Sequence, residues 1–163
     1  MDRSSKVISK TDESSKKFIM KCLDGNVTHG FDIDSIYFSG NKWFVLEFLK
    51  CDSKYMSPHT SDPRRYPWNW KKFHSLYQIS KLLKGELILV NYSDREKDSD
   101  QVKVMYVKEL DYKLLQSKMD SNGNVPRTYL DYIVFSKVDK ISFEEFQHFL
   151  VKLNFDAEIS TFK

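Results

Sequence analysis

The chain has 163 residues, of which 40% are hydrophobic and 15% aromatic; that is enough apolar material for one folded domain and excludes a disordered tail. Its net charge of +3 is too small for bulk basicity to argue for nucleic acid, so local clustering must carry any such reading. Two cysteines, Cys22 and Cys51, do not make a disulfide scaffold, and no stretch reads as an export signal or membrane span, so a cytoplasmic setting without a membrane partner is expected.

Residues 1–11 are polar and read as a flexible tail, with residues 12–163 as a single domain. Asp12–Leu23 predicts a short helix, because Phe18, Ile19, Cys22 and Leu23 form one stripe and Asp24-Gly25-Asn26 stops it. Glu13 near its start suits a helix N-terminus.

Gly30–Lys50 holds two β-branched and aromatic runs, Phe31–Phe38 and Lys42–Leu49, around Gly40-Asn41. That dipeptide predicts a hairpin with a two-residue loop, pairing Ser39 with Lys42, Phe38 with Trp43, Ile36 with Val45 and Asp34 with Glu47. Side chains alternate along a strand, so Asp32, Asp34 and Glu47 gather on one face. Trp43–Leu49 is apolar on both faces, as expected of a strand covered on both sides. An ionised Glu47 there suffers desolvation and repulsion together. A hard divalent cation would relieve both; fraying of the sheet, with the acids facing water, is the alternative.

An acid on a hairpin, a second acid about a dozen residues on, and a lysine beside it resemble the PD-(D/E)XK nuclease superfamily, over roughly Glu13–Tyr92. The resemblance implies a restriction-endonuclease-like αβββαβ core and Mg2+ or Mn2+ held by Asp34 and Glu47. It further implies Asp32 as an extra ligand, Glu13 as an acid from the first helix, Gln78 as a supporting residue from the next one, and Lys50 beside the attacking water. The superfamily lysine stands two residues after the acid, where this chain has Leu49. A β-bulge at Phe48–Leu49 would bring Lys50 back to the face of Glu47. Otherwise Lys71, Lys72 or Lys81 would substitute, or the protein binds without cutting.

Cys51–Lys72 contains three prolines and reads as an ordered excursion. Its second half mixes Arg64, Arg65, Lys71 and Lys72 with Tyr66, Trp68 and Trp70. Such cations suit phosphates, and flat aromatics suit unstacked bases; alternatively the rings cover the sheet edge and the cations are a solvated face. Trp68–Leu83 is helical by its stripe of Phe73, Leu76, Ile79, Leu82 and Leu83, with Gly85 ending it. Glu86–Tyr92 reads as a buried strand, making the helix a crossover within a mixed sheet. Ser93–Gln101 is a solvated loop, Val102–Lys108 a strand, Tyr112–Met119 a short helix, Asp120–Asn124 a turn and Thr128–Phe135 a strand. Ser142 and Glu145 form a capping box opening the last helix, whose buried face is Phe143, Phe146, Phe149, Leu150 and Leu153.

The chain thus reads as an α/β (α+β) domain, a central mixed sheet flanked by helices, and as a metal-dependent endonuclease hydrolysing phosphodiester bonds in DNA or RNA. Two alternatives keep the scaffold: an inactive nucleic-acid-binding module, favoured by Leu49 in the lysine position, and a protein-interaction or regulatory domain working through the aromatic loop. Cutting both strands of a duplex would suit a homodimer or larger complex.

Overall fold

The computed structural model describes residues 14–26, 30, 32–51 and 54–160. Contacts divide the chain into two compact units, Met1–Asp32 and Ile33–Lys163. The first contains α1, Ser14–Leu23, which ends where Asp24 and Gly25 turn left-handed, at φ 47° and 81°. The expected boundary between residues 11 and 12 lies outside the described residues.

The second unit is built on a five-stranded mixed sheet in the order β1-β2-β3-β4-β5. Its strands are β1 (Ser35–Ser39), β2 (Lys42–Lys50), β3 (Glu86–Tyr92), β4 (Gln101–Leu110) and β5 (Ile133–Ser142). Three helices accompany them: α2 (Trp70–Leu82), α3 (Tyr112–Lys118) and α4 (Phe143–Ser160). This is an α+β fold, a mixed sheet flanked by helices. Among the described residues the order is α1-β1-β2-α2-β3-β4-α3-β5-α4, with two strands before α2.

The hairpin forms in the register the sequence dictates, from Ser39 opposite Lys42 to Ile36 opposite Val45. Gly40 and Asn41 both take positive φ, 57° and 63°, the conformation that matches the twist of the flanking strands. β2 and β3 then run parallel without interruption, Phe44 opposite Glu86 through to Lys50 opposite Tyr92, and α2 is the crossover between them. The end of α2 is closed by Gly85 N–H donating to Ser80 O (2.7 Å) and Lys84 N–H to Lys81 O (3.0 Å), the paired bonds of a Schellman ending. Its left-handed residue is Lys84, at φ 54°. Gly85 has a different reason to be glycine: a Cβ there would sit 2.3 Å from Trp43 O.

Both faces of the sheet are covered, so β2 is apolar on both sides as its composition requires. Val45, Leu87, Leu89 and Met105 pack with Phe73 and Leu76 of α2, Leu115 of α3 and Tyr132. Leu46, Ile88, Val90 and Val104 pack on the other face with Phe146 and Leu153 of α4. Phe143 departs from the expected stripe of α4, being 53% exposed. The capping box is present, with Ser142 N–H donating to Glu145 Oε2 (2.7 Å) and Glu145 N–H to Ser142 Oγ (3.1 Å).

The last strand lies further along than expected, at Ile133–Ser142 rather than Thr128–Phe135. It is an edge strand, and Lys137, Asp139 and Lys140 give it the charged pattern with which edges avoid further pairing. That pattern resembles a loop in sequence. Residues 128–132 are instead a connection, tied down by Leu130 N–H to Arg64 O and by Asp111 N–H to Tyr132 O. Among the described residues no helix is long and apolar enough to cross a membrane.

Candidate functional site

Glu47 sits in the middle of β2 between Val45 and Leu49, on the face covered by α2, and is 3% exposed. Its Oε1 accepts from Lys72 Nζ at 2.5 Å. Its Oε2 is buried and has no hydrogen-bond partner. Asp34, just ahead of β1, accepts the Phe48 N–H through Oδ2 at 2.8 Å. It therefore ties the open end of the hairpin to β2, and its carboxylate stands near enough to Glu47 to repel its charge. Burial, then repulsion by Asp34, push the Glu47 carboxyl up to about 7 against the opposing pull of Lys72. A carboxyl poised there exchanges its proton at neutral pH, a property that collects at functional sites.

The expected lysine is supplied differently from the resemblance. The unbroken ladder from Phe44 to Lys50 leaves no bulge at Phe48–Leu49. Strand alternation therefore sends Lys50 to the face opposite Glu47, where it pairs with Asp94 at 2.7 Å. Lys72, in the first turn of α2, reaches Glu47 instead because the parallel crossover lays α2 over that face. Gln78 is exposed and off the buried face of α2, which is Phe73, Leu76 and Ser80, so it does not join the site. Asp32 is exposed and closes the first unit, while Glu13 lies outside the described residues. The site is accordingly Asp34, Glu47 and Lys72.

The basic and aromatic stretch separates into structural and exposed members. Arg64 is structural: it forks onto Asp62 (Nη2–Oδ2 2.7 Å), reaches Asp131 (Nη1–Oδ1 2.7 Å) and faces the Tyr129 and Phe135 rings at 5.5 and 5.2 Å. With its donors engaged it holds the 128–132 connection to the turn Pro63–Arg65, and is not placed as a phosphate ligand. Arg64→Ala should therefore lower unfolding stability by about 3 kcal/mol, since both partner carboxylates lose charge-assisted bonds. Urea denaturation reads that loss, and an unchanged midpoint would return Arg64 to the binding surface. Trp70 is half-buried, braced by Tyr112 at 5.9 Å and His74 at 6.3 Å. Arg65, Trp68 and Lys71 are exposed, with the Lys71 ammonium 5.8 Å from the Trp70 ring centre.

The donor set fits one hard divalent ion in part. Glu47 Oε2 is a buried oxygen facing no donor, and Asp34 stands beside it. Magnesium is commonly held by one or two carboxylates with water and phosphate completing its shell. Among the described residues no group of three or more His, Cys, Asp or Glu side chains is arranged to hold a metal, so these residues offer this pair and no closed cage.

No protein-family model, no curated protein and no solved structure matches this chain.

Proposed function

We propose that the protein is a metal-dependent nuclease, a cytoplasmic enzyme hydrolysing phosphodiester bonds in DNA or RNA, with Asp34, Glu47 and Lys72 as its working residues. The observation that carries this reading is a buried glutamate with one orphaned oxygen, beside a second carboxylate and a lysine. A buried carboxylate with one oxygen left unsatisfied is costly even beside a lysine, and a chain gains little in stability by keeping it. Asp34 and Glu47 would hold Mg2+ or Mn2+, which lowers the pKa of a bound water and neutralises phosphate charge. Lys72 Nζ, held at Glu47 Oε1, orients the attacking water and steadies the charge that develops on the phosphate. Asp34 has a second duty, fixing the backbone of β2 through the Phe48 N–H so that Glu47 does not shift.

A second reading rests on the same ion pair. The Lys72 ammonium already neutralises one oxygen of Glu47, as it would in a binding module that has dispensed with metal. Incubation of mixed DNA and RNA with manganese, magnesium or excess chelator, alongside Glu47→Ala, separates the two. Metal-dependent cleavage that falls at least about 100-fold in the variant is the expected result. Cleavage unaffected by the substitution would sink the proposal, and binding in chelator with no cleavage by the wild type would establish the inactive module.

A further inference from the structure

Consecutive residues of α2 serve two places. Lys72 turns to Glu47, whereas Lys71 lies over the edge of a separate groove of about 470 Å3 lined by Trp68, Trp70, Asn124, Val125 and Arg127. One wall is the aromatic start of α2; the other is the connection after α3, which the sequence presents only as a turn. That wall is firmly built. Asp120 accepts from the Asn122 and Asn124 N–H groups at 2.8 and 2.9 Å and from the Asn124 side chain at 3.2 Å. Gly123, at φ 76°, lets the chain close on Asp120 O at 3.0 Å. Val125 packs onto the core and pins the loop from beneath.

The chemistry of the groove is one-sided. Lys71 and Arg127 are exposed and form no ion pair among the described residues, while the carboxylate of Asp120 is occupied by its own loop. Trp68 leaves 47% of its surface uncovered, held edge-on by Tyr66 at 5.3 Å between ring centres. Flat indole surface and two cations lining one groove are the groups that stack a base and hold its neighbouring phosphates. A duplex keeps its base faces stacked and offers none to an indole.

We infer that this groove binds a single-stranded segment of nucleic acid, with Trp68 stacking a base and Lys71 and Arg127 on the backbone; as a holding site for a strand cleaved at Glu47, it rests on the hydrolytic reading above. Asn124, beside the indole, offers an amide to a base edge or the sugar.

The test uses the full chain in excess chelator, with fluorescein-labelled oligo(dT) and a duplex of the same length. The single strand should bind more tightly than the duplex and quench tryptophan fluorescence. Trp68→Ala should weaken it about 10- to 100-fold, and Arg127→Ala should reduce the slope of log affinity against log salt by about 0.7. Both positions are exposed, and circular dichroism checks that the variants fold. Equal affinity of wild type and Trp68→Ala, preference for the duplex, or displacement of the strand by poly-glutamate at equal concentration would each overturn the inference. In the wild type, Trp68-dependent binding without metal-dependent cleavage refutes the hydrolytic reading alone. Cleavage of a single strand that ignores both Trp68 and Arg127 refutes the groove alone.

Discussion

Glu47→Gln should make the metal-free protein more stable than the wild type at about pH 8, by roughly 3 kcal/mol, and should change little near pH 4. The sign follows from where the proton sits. In the unfolded chain the carboxyl ionises around its ordinary value of 4.5, whereas in the fold it keeps its proton up to about 7. Between those values the folded state binds more protons, so stability falls as pH rises, by about 1.4 kcal/mol for each pH unit. Above about 7 the whole loss is present. Glutamine keeps the shape and never ionises, and Lys72, a third exposed along its side chain, can turn to water. Urea denaturation of both proteins in chelator at the two pH values measures the difference. Parallel stability curves would show that Glu47 carries no such penalty, and would remove the reason for assigning it a ligand.

Gly85→Ala should cost about 3 kcal/mol or more, because a methyl group there meets backbone that cannot yield. The added carbon would stand 2.3 Å from Trp43 O and 2.7 Å from Trp43 Cβ. Those atoms lie one residue before Phe44, whose partner Glu86 opens the parallel ladder. Relief requires β3 to move away from β2 at the point where their register begins. For a chain of this length such a loss lowers the thermal midpoint by roughly 10 °C. A scan showing a shift of only a degree or two would mean that the strands part freely here. The effect is steric, since the left-handed conformation at the end of α2 belongs to Lys84.

Local chemistry made most of the fold legible. Gly40-Asn41 specified the hairpin and its register, the stripe through Phe73 and Leu76 specified α2, and the Ser142–Glu145 capping box marked the start of α4. Signals of this kind act within a few residues and survive packing. β5 was not legible, because an edge strand carries charge for its exposed flank and its pattern of Lys137, Asp139 and Lys140 is that of a loop. The site divides in the same way. Asp34 and Glu47 could be placed together because the hairpin fixes both. The lysine that completes them could not, since choosing Lys72 over Lys50 depends on how α2 lies across the sheet. Arg64 read as a phosphate ligand from its neighbours in sequence; besides Asp62, two residues before it, its partner is Asp131, 67 residues away, beyond the reach of any local pattern.

In this sheet, spatial order repeats chain order from β1 to β5. Each strand is therefore added at an existing edge, and none must be threaded between two already paired. Three of the four junctions are antiparallel, and two of them, β1 with β2 and β3 with β4, draw on partners nearby in the chain, which keeps loop-closure entropy small. β4 and β5 are joined across α3, and the junction of β2 with β3, the parallel one in this sheet, waits for the excursion after Cys51 and for α2 to be in place. A nascent chain can build from the hairpin outward as synthesis proceeds, and the face of Glu47 is covered only when that one parallel joint closes.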